Sequence, residues 1–189
     1  MNTLTPLQER KARRMFEIFD INNDGTIERN DFTIILDKLS EVVPFSKQSE
    51  TYRGLNYLYQ NRWKKMLFFA DGTIDNEKDE KISIQEWIFY CNSLIEKNSY
   101  EEDILPITCY VIRLFADQNK KEDFKIDISV FEKFYSAYGI NKELAKQVFE
   151  KLDVEKKGYL TEEQITNYWR EFYESNDENA LGNWFFGKY

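Results

Sequence analysis

The chain contains no histidine. Histidine is the commonest general base and the usual nitrogen ligand of zinc. Its absence excludes Ser-His-Asp and Cys-His catalysis outright. The two cysteines, Cys91 and Cys109, are too few for a disulfide framework and lack metal-binding spacing. They read as thiols of a reducing compartment. With 7 Gly and 3 Pro among 189 residues, helix breakers are scarce, which favours helices over a turn-rich β fold. No apolar run approaches the roughly 20 residues of a membrane helix. The first residues, MNTLTPLQERKARR, lack the apolar stretch of a secretory signal. These absences point to a soluble cytoplasmic protein without stable membrane insertion.

What is present is acidic, aromatic and periodic. Asp and Glu number 34 against 26 Lys and Arg, a net charge of −8. Such a chain is a poor partner for nucleic acid and a suitable one for cations. A hydrophobic fraction of 42% is enough to bury the core of one sizeable domain, or of two small ones sharing an interface.

Helix-period apolar residues alternate with short polar gaps. Ala12, Met15, Phe16 and Phe19 share one face of a helix over 6–19, with Thr5 and Pro6 as its start. Phe32, Ile35, Leu36 and Leu39 repeat the pattern, and 40–50 reads as a linker around Pro44. Further helices are predicted over 52–70, 84–95, 104–116, 129–138 (with Gly139 as C-cap), 142–152 and 161–173. The result is four helix–gap–helix units.

The first gap, DINNDGTIERND, carries chemistry. From Asp20 as position 1, oxygen side chains stand at positions 1, 3, 5 and 9 as Asp20, Asn22, Asp24 and Glu28. Gly25 is at position 6, where the chain must turn sharply, and Thr26 at position 7 offers its carbonyl. Ile27 points away and can pair with a partner loop, and Asp31 closes the loop at position 12. This is the EF-hand pattern: alternate side chains aim hard oxygens inward, and calcium takes 6–8 of them. Asp31 is one methylene shorter than the usual Glu. Two-oxygen coordination is harder to reach, which brings the site closer to the octahedron magnesium prefers.

The second gap offers two registers. In the favoured one the ligands are Asp75, Glu77, Asp79, the carbonyl of Lys81, Ser83 and Glu86, with Glu80 at the glycine position. Glu80 costs roughly 1 kcal/mol there if its φ is positive. Asp71-Gly72-Thr73-Ile74 is then an insertion between helix and loop. In the rival register the loop starts at Asp71 and holds four extra residues. Glu86 closes it either way, with two oxygens to offer.

The third and fourth gaps read as degenerate. With Ile126 at position 8 the third ends on Val130, and from Asp117 it has Lys121 at position 5 and ends on Ile128. The fourth keeps Asp153, Glu155, Gly158, Leu160 and Thr161 in place, but has Lys157 at position 5 and Gln164 at position 12. An ammonium there repels a metal ion and can stand in for it. The expected fold is all-α: four EF-hands in two pairs, one compact globule, with short two-stranded ribbons between paired loops. The pairs are expected over 1–98 and 99–174, with a tail over 175–189.

Several segments resemble the invertebrate sarcoplasmic calcium-binding proteins, a group that includes calexcitin and juvenile hormone diol kinase. They are the first loop ending in Asp31, the second closing at Glu86-Trp87, YSAYGI at 135–140, and the tail WREFYESNDENALGNWFFGKY. The resemblance implies a compact globule of two EF-hand pairs in which some hands have lost calcium. The damaged third loop and the insertion at 71–74 depart from the group. The tail also matches G-x-x-x-x-G-K at 182–188, but no strand precedes it and no helix follows, so it reads as an apolar plug placed in the groove between the pairs. The expected function is a monomeric calcium buffer binding about two Ca2+, with Mg2+ able to enter the first loop. A calcium-regulated kinase of a small apolar alcohol is the alternative.

Overall fold

The computed structural model describes residues 4–43, 45–75, 78–97, 99–100, 105–115 and 125–189. Among them are eight α-helices: α1 (Pro6–Phe19), α2 (Arg29–Val42), α3 (Glu50–Phe69), α4 (Ile84–Lys97), α5 (Leu105–Phe115), α6 (Ile128–Ala137), α7 (Lys142–Leu152) and α8 (Glu162–Glu174). A two-stranded antiparallel ribbon pairs β1 (Lys125–Asp127) with β2 (Tyr159–Thr161), and a short 3-10 helix spans Leu181–Trp184. The all-α architecture with ribbons between loops is as the spacing predicts. No helix among the described residues is long and apolar enough to cross a membrane.

The helices start where side chains can satisfy their free amides. Thr5 caps α1 in a capping box with Gln8, Ser49 caps α3, and Thr161 caps α8 in a box with Gln164. The stretch 40–50 differs from the expected linker. α2 runs on to Val42, because Val42 still packs, half-buried, against the core.

The predicted apolar faces meet in one aromatic core. Phe19 packs edge-on against Trp87 at 5.8 Å, and Phe32 lies 5.7 Å from Tyr59. Each such buried ring stabilises the fold by about 1.5–3 kcal/mol from burial alone. The Trp87 indole N–H donates to the Ala12 carbonyl at 2.7 Å, pinning α4 to α1. The same core is shared by residues from both halves of the chain: α2 packs on α6, and the hydroxyls of Tyr59 and Tyr138 lie 3.0 Å apart.

The tail packs on α8, α7 and α1. Phe185 and Phe186 are buried, and the Tyr135 hydroxyl donates to the Phe185 carbonyl. Lys11 of α1 is buried and donates to the carbonyls of Glu171 and Ser175 and to Asn183 Oδ1, at 2.8–3.1 Å. Desolvation nevertheless lowers its pKa to about 8. Gly182 lies so close to α8 that a Cβ would sit 2.2 Å from the Tyr168 carbonyl oxygen.

Candidate metal centres

The first loop begins where α1 ends, with Asp20 as C-cap. Its carboxylate accepts the amides of Asp24 at 3.0 Å and Gly25 at 2.9 Å. Asp24 Oδ1 accepts the amide and hydroxyl of Thr26, which hold its carboxyl below the usual carboxylate range. The backbone can fold this tightly because Gly25 takes φ 91°, a conformation that a side chain would strain.

Asp31 is the centre of this loop. It sits in the first turn of α2, fully buried, and its Oδ2 accepts the Glu28 amide at 2.7 Å. Its Oδ1 is buried without any hydrogen-bond partner. Burial lifts its pKa to about 6, and the nearby charges of Asp20 and Asp24 add to the rise, while backbone hydrogen bonds oppose it. A buried carboxylate oxygen with no donor, facing two further carboxylates, is a costly arrangement in the absence of a cation. The donor set therefore fits a hard divalent ion.

Ile27 and Ile82 exchange backbone hydrogen bonds of 2.9 and 3.0 Å, so the first two loops are joined back to back as their spacing implied. Lys81 reaches across this junction and pairs with Glu28 at 2.6 Å.

In the second loop the two candidate first positions, Asp71 and Asp75, sit in different surroundings. Glu86 is buried, and its Oε2 accepts the amide and hydroxyl of Ser83 at 3.1 Å. Its Oε1 accepts the Gly72 amide at 2.8 Å. The carboxylate brought up to this pair is Asp71: burial raises its pKa, and Glu86 and Asp79 add to the rise. The Asp79 backbone amide opposes that rise. Asp71 Oδ1 is buried and unpartnered, like Asp31 Oδ1, whereas Asp75 is exposed. Asp79 accepts the Lys81 amide at 3.0 Å, and Glu80 stands at φ 59° in the glycine position. Glu77 lies outside the described residues. A sequence signal for Asp71 exists: apolar-Asp ends the helix at 19–20, 70–71 and 152–153 alike.

In the fourth loop Asp153 accepts the amides of Lys157 and Gly158 at 3.0 and 2.7 Å, reproducing the frame around Asp20. Lys157 pairs with Glu155, and Gln164 closes the loop on the Thr161 amide at 2.9 Å. The third gap lies mostly outside the described residues, but Ile126 pairs with Leu160 in the ribbon. Val130 gives its amide to Asp127, the N-cap of α6. Among the described residues no three acidic or cysteine side chains are already gathered as a metal cluster. In the first loop the carboxylates of Asp20, Asp24 and Asp31 accept the loop's own amides.

No family model matches the chain. The sarcoplasmic calcium-binding proteins II, V, VI and VII of Branchiostoma lanceolatum are 24% identical to it over 139 residues, covering 69% of this chain and 70% of theirs. The luciferin-binding protein of Renilla reniformis is 23% identical over 180 residues, covering 94% and 92%. The solved structure of a sarcoplasmic calcium-binding protein from amphioxus superposes with a TM-score of 0.70 at 18% identity, covering 98% of this chain and 99% of that one. The chain carries the EF-hand fold of the sarcoplasmic calcium-binding proteins and is similar to them in sequence.

Proposed function

We propose that the chain is a monomeric calcium-binding protein of the buffering kind, holding two cations in the reducing interior of a cell. The first site uses Asp20, Asn22, Asp24, the Thr26 carbonyl and Asp31, with Glu28 at position 9. The second uses Asp71 in place of Asp75, with Asp79, the Lys81 carbonyl, Ser83 and Glu86. The single observation that carries the reading is Asp31 Oδ1, buried beside two carboxylates with no donor. A bound cation supplies the missing positive charge. Calcium's variable coordination suits Glu86, whose longer side chain can offer both oxygens, while Asp31 suits a contracted shell that magnesium can also fill.

Buffering rather than sensing is supported by the core. Sensors open a Met-rich groove on binding. Here the described methionines, Met15 and Met66, are both buried, and the tail's Phe185 and Phe186 are buried as well. With those rings packed inward, residues 182–188 offer no cradle for a phosphate, so the kinase reading gains no support from them.

Calorimetric titration with calcium, with and without magnesium, tests the proposal. Two sites are expected, one of them weakened by magnesium. Three or more sites would show that Lys157 or Val130 does not disable its loop, and none would sink the proposal.

A further inference from the structure

The centre of the core holds a charge that nothing described balances. Arg62, on the inner face of α3, is only 4% exposed, and its Nε and Nη2 are buried without a hydrogen-bond partner. It lines a cavity of about 20 Å³ together with Tyr59, Thr108, Tyr138, Tyr173 and Phe186. That volume is room for one water-sized or halide-sized occupant.

The groups around Arg62 are neutral. Burial pushes Tyr138 and the Cys91 thiol up to about 12, and raises Tyr59 and Tyr173 well above the usual phenol value. Each is influenced by the Arg62 charge, yet none is ionised near pH 7. The guanidinium lies 4.8 Å from the Phe19 ring centre and 6.0 Å from that of Trp87. Ring faces attract a cation through their quadrupole but do not cancel its charge. A guanidinium cannot escape by losing its proton. The unsatisfied polar atoms nearby are also donor-rich: besides the two nitrogens of Arg62, the Tyr173 hydroxyl lacks a partner. A buried charge without a counter-charge is costly. Water could accept these hydrogens but would leave the charge in place.

We propose that this cavity is a binding site for a single small monovalent anion of halide size, held by Arg62 Nε and Nη2 between aromatic walls. The site lies in the core, against Phe19 and Trp87, which adjoin the loop residues Asp20 and Glu86. The anion acts as a structural ion that closes the charge balance where the two halves of the chain meet.

The test is thermal unfolding of the full chain at fixed, saturating calcium and constant ionic strength, with bromide replacing methanesulfonate, an anion too large for the cavity. Above the dissociation constant, each tenfold rise in bromide should raise the midpoint by roughly 3–5 °C. Arg62→Met should abolish that dependence. A crystal grown in bromide should show an anomalous peak beside Arg62, a readout that does not require the variant to fold. Equal midpoints in both salts would overturn the proposal, showing that the counter-charge comes from the chain itself. An occupant beside Arg62 with no anomalous signal would overturn it in favour of water. Calcium stoichiometry measured in both salts keeps a failure of this site distinct from a failure at the loops.

Discussion

The Gly72 amide donates to Glu86 Oε1 across a separation of fourteen residues, at 2.8 Å. The inserted segment is thereby folded back onto the carboxylate that closes the second loop, and it brings Asp71 with it. Both oxygens of Glu86 are engaged by the chain, one by Gly72 and one by Ser83.

The proposed second site makes Asp71 the aspartate that matters. Asp71→Asn should weaken the second calcium site roughly tenfold or more, because it removes a buried charge next to the ion. Asp75→Asn should leave the site nearly unchanged, and Glu86→Gln should abolish it. If Asp75→Asn were the damaging change, the Asp71 register would be wrong.

Asp31 makes the first loop sensitive to pH. Its folded pKa of about 6 lies above the ordinary aspartate value of 3.8. Between those values the folded, metal-free chain holds a proton that the unfolded chain has lost. This group's contribution to stability is therefore full below about pH 4 and is lost as pH rises through 6. A cation needs the ionised form, so calcium affinity at this loop should rise with pH through about 6 and level off above about 7. Calorimetry near pH 6, in buffers of different ionisation enthalpy, should detect proton release that disappears by about pH 7.5. Absence of release near pH 6 would contradict the assignment.

Selectivity should follow side-chain length. Asp31→Glu should tighten calcium binding at the first loop and reduce competition by millimolar magnesium, since the longer carboxylate reaches a larger, seven-ligand shell. Competition left unchanged by the substitution would remove the basis for placing magnesium there.

The tail should be intolerant of bulk at Gly182. A Cβ there would meet the Tyr168 carbonyl at 2.2 Å and Glu171 Cβ at 2.4 Å, and backbone cannot give way as a flexible side chain does. Gly182→Ala should cost about 1–3 kcal/mol in denaturant unfolding while calcium stoichiometry stays the same. Wild-type stability in that variant would mean that the tail does not pack as described.

The first loop and the helices that flank it were legible in the sequence, because the ligand spacing and each apolar face depend on residues within about a dozen positions of one another. That Ile27 turns away from the loop was legible too, while its partner Ile82, 55 positions along the chain, came from the fold. The sequence also showed Lys157 standing where a carboxylate belongs, and the structure pairs that lysine with Glu155. The different surroundings of Asp71 and Asp75 emerged only in the folded chain. The choice between them turns on which carboxylate the chain delivers to Glu86 after Ile82 has been fixed against Ile27, and an insertion can satisfy linear spacing in either register. Arg62 was likewise silent in the sequence, one more cation on a helix rich in them. Its burial follows from α1, α4, α5, α6, α8 and the tail closing on that face of α3, and the demand for a counter-charge arises only once water has been excluded.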